Sequence, residues 1–392
     1  MPGFVSSARQ EFIADLPITA LNSQLLLNSA NGFSNDRFMY GMILTFEARI
    51  TNPPGAGAPT SVFPEAPFTL IDNLQIQGYH RVRGANEQFL NMRGSDLYNM
   101  VRSYTAVNTF VQPNNPILSA AGIFLPQLTV VADEVNDVRF QLFVPFCPMN
   151  HVINEQLNWI LDAPNYDRLQ MTIQVGDALS VFSGLTAGAT GVIGAATATQ
   201  CGFTAFGSNA GTPRVRVEGQ YALAGAGAFN YVPGRVWRYY VENTTGDIVS
   251  AATSNSRRYT INRGNKIRGV LVKTGTKATT ATATNNVYAT LSDDVLNNIK
   301  FQRGQNKSIR FYPSYRSISF ETSINYGFRP PVGYAIIDFA QHGRIIESLD
   351  TIGLVAGPSG DTDTFIQADV SGGANFADLY LVEELRGQPR RI

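Results

Sequence analysis

Two stretches of this chain, about 225 residues apart, carry the same pattern. Gly41-Met42-Ile43-Leu44 leads, after a Pro/Gly/Ala-rich loop, to Leu70-Ile71-Asp72-Asn73-Leu74-Gln75-Ile76-Gln77. Gly269-Val270-Leu271-Val272 leads, after a Thr/Ala/Asn-rich loop, to Val295-Leu296-Asn297-Asn298-Ile299-Lys300-Phe301-Gln302. Apolar positions align with apolar and polar with polar. Gly41 to Asn73 spans 32 positions and Gly269 to Asn298 spans 29, so the intervening chain is of nearly equal length. A pattern written twice at this separation describes two similar modules in tandem, each needing its own core. A length of 392 residues accommodates two modules of ordinary domain size.

The modules read as β. Leu169, Met171, Ile173 and Val175 alternate with Gln170, Thr172 and Gln174, the period-2 pattern of a strand with one buried face. Arg214 to Tyr221 repeats it, with Val215, Val217 and Tyr221 on one side. Phe140–Val144 and Tyr334–Ile337 are apolar on both faces, as in a fully buried strand. The 24 Phe and 16 Tyr suit pleated surfaces, and Gly, Pro and Asn punctuate the short runs, which reads as sandwiches or barrels. Helical signals are local. Ser95 is placed to cap a segment bearing Leu97, Met100, Val101 and Tyr104, residues 152–161 form a weaker candidate ended by Pro164, and Ser7 precedes a short amphipathic turn with Phe12, Ile13 and Leu16 that Pro17 closes.

Residues 183–213 are rich in Gly, Ala and Thr and carry no charge before Arg214. They keep Leu185, Val192, Ile193, Phe203 and Phe206, unlike a disordered linker. We read them as a long ordered loop together with the crossing between modules. Loops near 53–66 and 274–285 occupy equivalent places in the two repeats, which puts insertions at one end of both scaffolds, where loops commonly carry function.

Charge narrows the function classes. Charged residues make up 15% of the chain, against about 25% in ordinary soluble domains. A folded monomer of this mass exposes on the order of 15,000 Å². Thirty basic and thirty acidic residues cover that thinly, leaving a neutral polar surface or extensive subunit contact, whose interface cores are depleted in charge. Their balance argues against direct nucleic-acid binding, which draws on a basic surface. The one basic cluster is Arg386, Arg390 and Arg391. No apolar run reaches the roughly 18 residues of a transmembrane helix. No basic-then-apolar leader opens the chain, so the expectation is a soluble protein made in a cytoplasm.

Catalytic and ligand chemistry is sparse. Cys147 and Cys201 are too few for a disulfide framework, and Cys147 with His151 leaves a metal site short of ligands, since His80 and His342 form no second pair. Asp361-Thr362-Asp363 lacks the glycine and closing glutamate of a calcium loop. Asp293-Asp294 precedes a strand and reads as a turn. Nucleophile elbows, phosphate loops and dinucleotide fingerprints are missing. No catalytic, cofactor-binding or metal-binding residue is assigned, and the chain is expected not to be an enzyme.

Tandem β modules, helices confined to loops, insertions at one end and low charge together resemble the double jelly-roll major capsid proteins of tailless icosahedral viruses with an internal membrane, the tectivirus and corticovirus types related to adenovirus hexon. The local likeness lies in Phe143-Val144-Pro145-Phe146, then Trp159-Ile160-Leu161, Pro164 and the strand Asp167–Ile173. Ile50-Thr51-Asn52 followed by Asn73-Leu74-Gln75-Ile76 adds to it. The resemblance implies an all-β double jelly roll: residues 1–20 an N-terminal segment at the capsid base, 21–182 the first roll, 183–213 the loop and inter-roll connection, 214–385 the second roll, and 386–392 a tail. It also implies a virion protein, made in the host cytoplasm, that forms pseudo-hexagonal homotrimers. These would tile a shell over the membrane and contact neighbouring capsomers and minor vertex proteins, with the N-terminal segment meeting lipid. Permanent contacts of roughly 2,000–5,000 Å² are then expected between subunits. The alternative is a β-sandwich carbohydrate- or receptor-binding protein using exposed aromatics such as Trp237-Arg238-Tyr239-Tyr240.

Overall fold

The computed structural model describes residues 8–30, 32–33, 38–63, 65–81, 84–105, 128–146, 161–185, 191–222, 235–242, 254–260, 266–276, 290–303, 307–326, 330–339, 349–350, 364–371 and 375–386. The chain divides into two compact units, one of Met1–Arg102, Val111–Met149 and Gln156–Val232, the other of Ser103–Phe110, Asn150–Glu155 and Pro233–Ile392.

In the first unit one antiparallel sheet runs in the order Gln24–Asn28, Tyr166–Val175, Ile71–His80, Ala85–Met92. The other runs Ala8–Pro17, Arg214–Ala222, Phe38–Thr51, Val135–Pro145. Counting these eight strands along the chain, the orders are second-seventh-fourth-fifth and first-eighth-third-sixth. The second unit repeats both: Ser254–Thr260, Thr364–Ser371, Leu296–Arg303, Lys307–Tyr312, and Arg235–Glu242, Asn375–Arg386, Lys266–Thr276, Tyr334–Asp338. Each unit also has a helix between its fifth and sixth strands, Gly94–Thr105 and Tyr315–Tyr326. The duplicated pattern in the sequence is thus the third strand, loop and fourth strand of each unit.

Alternation makes the cores. Leu44 lies opposite Leu142 and Val217, and Phe46 opposite Phe140 and Val215, all buried. Phe46 stacks on Phe140 at 5.2 Å between ring centres, and Phe68 meets Phe140 edge-on at 5.0 Å. Leu169, Met171, Ile173 and Val175 are buried as their spacing predicts. In the second unit Val270, Val272, Ile337, Leu379 and Leu381 of one sheet form a single cluster with Ile299, Phe301, Ile366 and Val370 of the other. Each such side chain contributes about 1.5–3 kcal/mol by leaving water.

The structure corrects three expectations. Residues 183–213 are not the connection between modules, and 214–385 is not one roll. Arg214–Ala222 pairs with Phe38–Thr51 and Ala8–Pro17 as the eighth strand of the first unit, and the units divide between Val232 and Pro233. An alternating strand carries no mark of which core it serves; the partners decide. Residues 1–20 are not a detached segment with an amphipathic turn either, because Ala8–Pro17 is an edge strand with a bulge between Phe12 and Ala14. Three apolar residues in five positions fit both periods, and the open edge of Arg214–Ala222 offers hydrogen bonds that an isolated turn lacks. Finally, the tail expected from Arg386 onward begins later, since Arg386 still pairs with Arg235 in the last strand.

The helix expected after Ser95 begins at Gly94 and buries Leu97, Met100 and Val101 as predicted. Of the 152–161 candidate only Leu161 is described, and it sits in a short strand paired with Phe38–Met39.

Candidate assembly surfaces

Among the described residues the sequence-derived ligand candidates do not converge. His80 ends the Ile71–His80 strand with its ring edge-on to Tyr166 at 5.1 Å. Cys201 is buried, and burial pushes its thiol up to about 12, so it is an inert core thiol. Asp293 accepts a 2.7 Å hydrogen bond from the Gly333 amide, whereas Asp294 is exposed and pairs with Arg316 at 3.2 Å. Those two carboxylates therefore serve separate turn and surface roles. Cys147, His151, His342, Asp361, Thr362, Asp363, Arg390 and Arg391 lie outside the described residues. Trp237, Arg238, Tyr239 and Tyr240 fall within the Arg235–Glu242 strand. Among the described residues no three His, Cys, Asp or Glu side chains are grouped to hold a metal ion.

What the structure does assemble are faces. On the first unit's Phe38–Thr51 sheet, the side opposite the core is ionic. Glu47, with a side chain only 5% exposed, receives Arg214 at 2.8 Å, Arg139 at 3.2 Å and Arg216 at 3.4 Å. Arg214 also reaches Asp15 at 3.1 Å on the edge strand, so the pair ties three adjacent strands together. Arg49 forks onto Asp137 with bonds of 2.8 and 2.9 Å and donates to Asn209 at 3.0 Å. That hydrogen-bonded fork holds the Asp137 carboxyl below the usual carboxylate range and lifts the Arg49 guanidinium further.

The same carboxylate anchors a loop. Asp137 accepts the Gly207 amide at 3.1 Å, and the Arg139 guanidinium lies 6.0 Å from the centre of the Phe206 ring. Behind them Gly202–Thr204 continues the sheet along Phe38–Thr51, and Val192–Ile193 pairs with it in parallel. At the other end of the insertion Phe182–Ser183 pairs with Ser61–Val62. The small-residue composition has a steric cause. A Cβ on Gly202 would lie 2.3 Å from the Ala196 nitrogen, and one on Gly184, at φ +78°, 2.0 Å from the Thr60 hydroxyl. The described parts of residues 183–213 and of the 53–66 loop are thus tied to each other and to the sheet.

The second unit's corresponding sheet face differs. Val270 and Val272 point into the core, so Leu271 and Lys273 point away from it. Leu271, Lys273, Tyr334, Ile336, Asp338, Asp378 and Tyr380 are nonetheless all buried. Lys273 lies opposite Tyr334 and Asp378 in register, with its ammonium 5.4 Å from the Tyr334 ring centre. This face is therefore already covered within the chain, with the lysine ammonium beside an aromatic ring.

No family model matches the sequence, and no curated protein matches it. Solved structures do. The STIV MCP aligns over 97% of this chain and 97% of its own, with a TM-score of 0.63 and 12% identity. The fold is a double jelly roll. The atomic structure of Sulfolobus Turreted Icosahedral Virus matches over 97% of this chain and 91% of that chain, at TM-score 0.59 and 11% identity. PBCV-1 VP54, fitted into a reconstruction of the virophage Sputnik, matches over 98% and 97% at TM-score 0.54 and 10% identity. The two eight-stranded units are the two rolls, and each match runs through both.

One surface lies outside every expectation drawn from the sequence. The Tyr315–Tyr326 helix was not predicted, although Ser314, whose hydroxyl accepts the Ser317 amide at 3.3 Å, is the start signal that marks it. It buries Tyr315, Ile318 and Thr322 and presents Arg316, Phe320 and Ile324 to solvent. The Thr322 hydroxyl donates to the Ile336 carbonyl at 3.0 Å, which seats the helix on the sixth strand.

Proposed function

We propose that this chain is the major capsid protein of a tailless icosahedral virus with an internal membrane. The observation that supports this most is the repetition of one strand order in two rolls of a single chain, the architecture also found in the STIV MCP. A chain with two like lobes gives six lobes in a trimer. A six-lobed trimer has a pseudo-hexagonal outline, and such outlines tile a closed shell. The role is structural rather than enzymatic, with neighbouring capsomers and minor vertex proteins as partners, the virion as location and the host cytoplasm as the place of synthesis. Net charge of zero disfavours direct contact with the genome.

In this reading the loop ends carrying residues 53–66 and 183–213 face outward, and the N-terminal segment lies at the base. With Ala14 buried and Leu16 half-buried in the sheet, the exposed Phe12 is what the described part of that segment offers a bilayer. Light scattering on the purified chain tests the reading: a trimer supports the shell protein, while a monomer that binds glycans supports the rival carbohydrate- or receptor-binding reading. Electron microscopy of the native particle then places the subunits.

A further inference from the structure

We propose that residues 205–212 form a flap on the first roll, which the Arg49–Asp137 ion pair latches to the sheet and which acid opens. The proposal stands whether or not the chain builds a shell. Both ends of the segment are fixed: Thr204 is buried in the sheet, and Pro213 is buried with its carbonyl accepting the Ile18 amide at 2.8 Å. Between them Ala205 is half-buried and residues 206–212 are all exposed. Apolar burial therefore does not hold this segment down, and polar contacts must. The Gly207 amide donates to Asp137 at 3.1 Å, and Asn209 accepts from Arg49 at 3.0 Å. Arg49 and Asp137 are joined to each other by the fork of 2.8 and 2.9 Å bonds. The bonds from the Ser208 amide to the Ala205 carbonyl at 3.0 Å and from the Ala210 amide to the Ser208 hydroxyl at 3.2 Å shape the turn without reaching the sheet.

Register explains the geometry. Arg49 lies opposite Thr204 on one side and Asp137 on the other, so the flap, rooted beside Arg49, reaches across it to the far carboxylate. The flap sequence Ala205-Phe206-Gly207-Ser208-Asn209-Ala210-Gly211-Thr212 contains no titratable group, so a response to pH must come from the sheet. The charged groups around Asp137 are Arg49 on the central strand and Arg139 on its own strand. Beyond them lie Glu47 with Arg214 and Arg216, and then Asp15. The fork from Arg49, helped by the Gly207 amide, holds the Asp137 carboxyl below its ordinary value. Such a group stabilises the closed form in full above about pH 4 and loses that contribution as pH falls through the lowered value. A protonated carboxyl no longer pairs with the Arg49 charge and is a poorer acceptor for the Gly207 amide. Opening then uncovers Arg49, whose side chain is only 17% exposed in the closed form, beside Arg139, Arg214 and Arg216. These four arginines have one opposing carboxylate fewer once Asp137 is neutral, so acid makes this part of the face both more open and more cationic.

Hydrogen–deuterium exchange of the full-length protein, read by mass spectrometry and corrected for the intrinsic effect of pH, tests the latch. In the wild type, exchange over 205–212 is expected to rise roughly 5-fold as pH drops below about 4, while peptides from Phe38–Thr51 keep their protection. Asp137→Asn should show the open rate already near pH 7 and no further rise in acid. Arg49→Gln, which removes the other half of the pair, should do the same. Wild-type protection that stays flat through acid overturns the proposal, and so does an Asp137→Asn variant as protected as the wild type near pH 7. If acid strips both sets of peptides together, the two variants near pH 7 decide. Faster exchange confined to 205–212 then supports the latch, and unchanged exchange refutes it. Should either variant loosen the Phe38–Thr51 peptides, Asn209→Ala, which lies outside the sheet, is read in its place and must speed exchange over 205–212 alone.

Discussion

Residues 176–213 separate the seventh and eighth strands in the first roll, whereas residues 372–374 do so in the second. The order of the eight main strands in both sheets is otherwise alike. The long loop of the first roll lies on its own sheet, held at Asp137 and Thr60, and the charged face around Glu47 supports it. The second roll instead buries Leu271, Lys273, Asp378 and Tyr380 on the corresponding face. The helices reverse the contrast, with residues 94–101 buried in the first roll and Phe320 and Ile324 turned outward in the second. One skeleton thus serves two environments, because the strand ladder fixes the scaffold while loops and outward side chains are set independently of it.

The comparison breaks most severely at the cores. Phe46→Ala in the first roll and Phe301→Ala in the second should each cost about 3–5 kcal/mol, because both rings are fully buried and leave a cavity. Calorimetry of the two variants shows whether each lowers the transition of its own roll, as separate cores require. A single transition moved equally by both would merge the rolls into one cooperative body.

The ionic face comes next. Glu47→Gln removes the carboxylate shared by Arg139, Arg214 and Arg216 and is expected to cost roughly 2 kcal/mol, measured by urea denaturation. An unchanged midpoint would mean that the arginines are already satisfied by Asp15 and water. Gly184→Ala tests the loop, since it places a methyl against Thr60 at a left-handed φ. About 1–2 kcal/mol of local stability should be lost, visible as faster proteolysis within 183–213 and not in the second roll.

The smallest effect is with pH. Asp137 titrates lower in the folded chain than its ordinary carboxylate value, so its contribution is present above about pH 4 and disappears as pH falls through the folded value. Asp137→Asn should therefore flatten acid unfolding of the first roll slightly and leave stability near pH 7 reduced. An acid titration followed by circular dichroism measures both. If the wild-type curve already lacks this slope, the Arg49 fork is too solvated to matter.

Much of the skeleton was legible along the chain. The alternation at Leu169–Val175 and Arg214–Tyr221 located two strands and their buried faces, and the duplicated pattern at 41–77 and 269–302 located the third and fourth strands of both rolls. The outward surfaces were not legible. Glu47 sits in an apolar-looking run, and its three arginines come from two other strands, 92 to 169 positions away.

Period and composition are local properties, so the amino-acid sequence alone determined that this chain is β and that it contains two like modules. Membership is not local. That Arg214–Ala222 closes the first roll, that Ala8–Pro17 is its edge strand and that Phe320 and Ile324 face water were decided only by tertiary structure. A strand's own residues specify which of its faces is apolar, but its hydrogen-bonding edges are the same backbone everywhere, and only the folded partners choose among them.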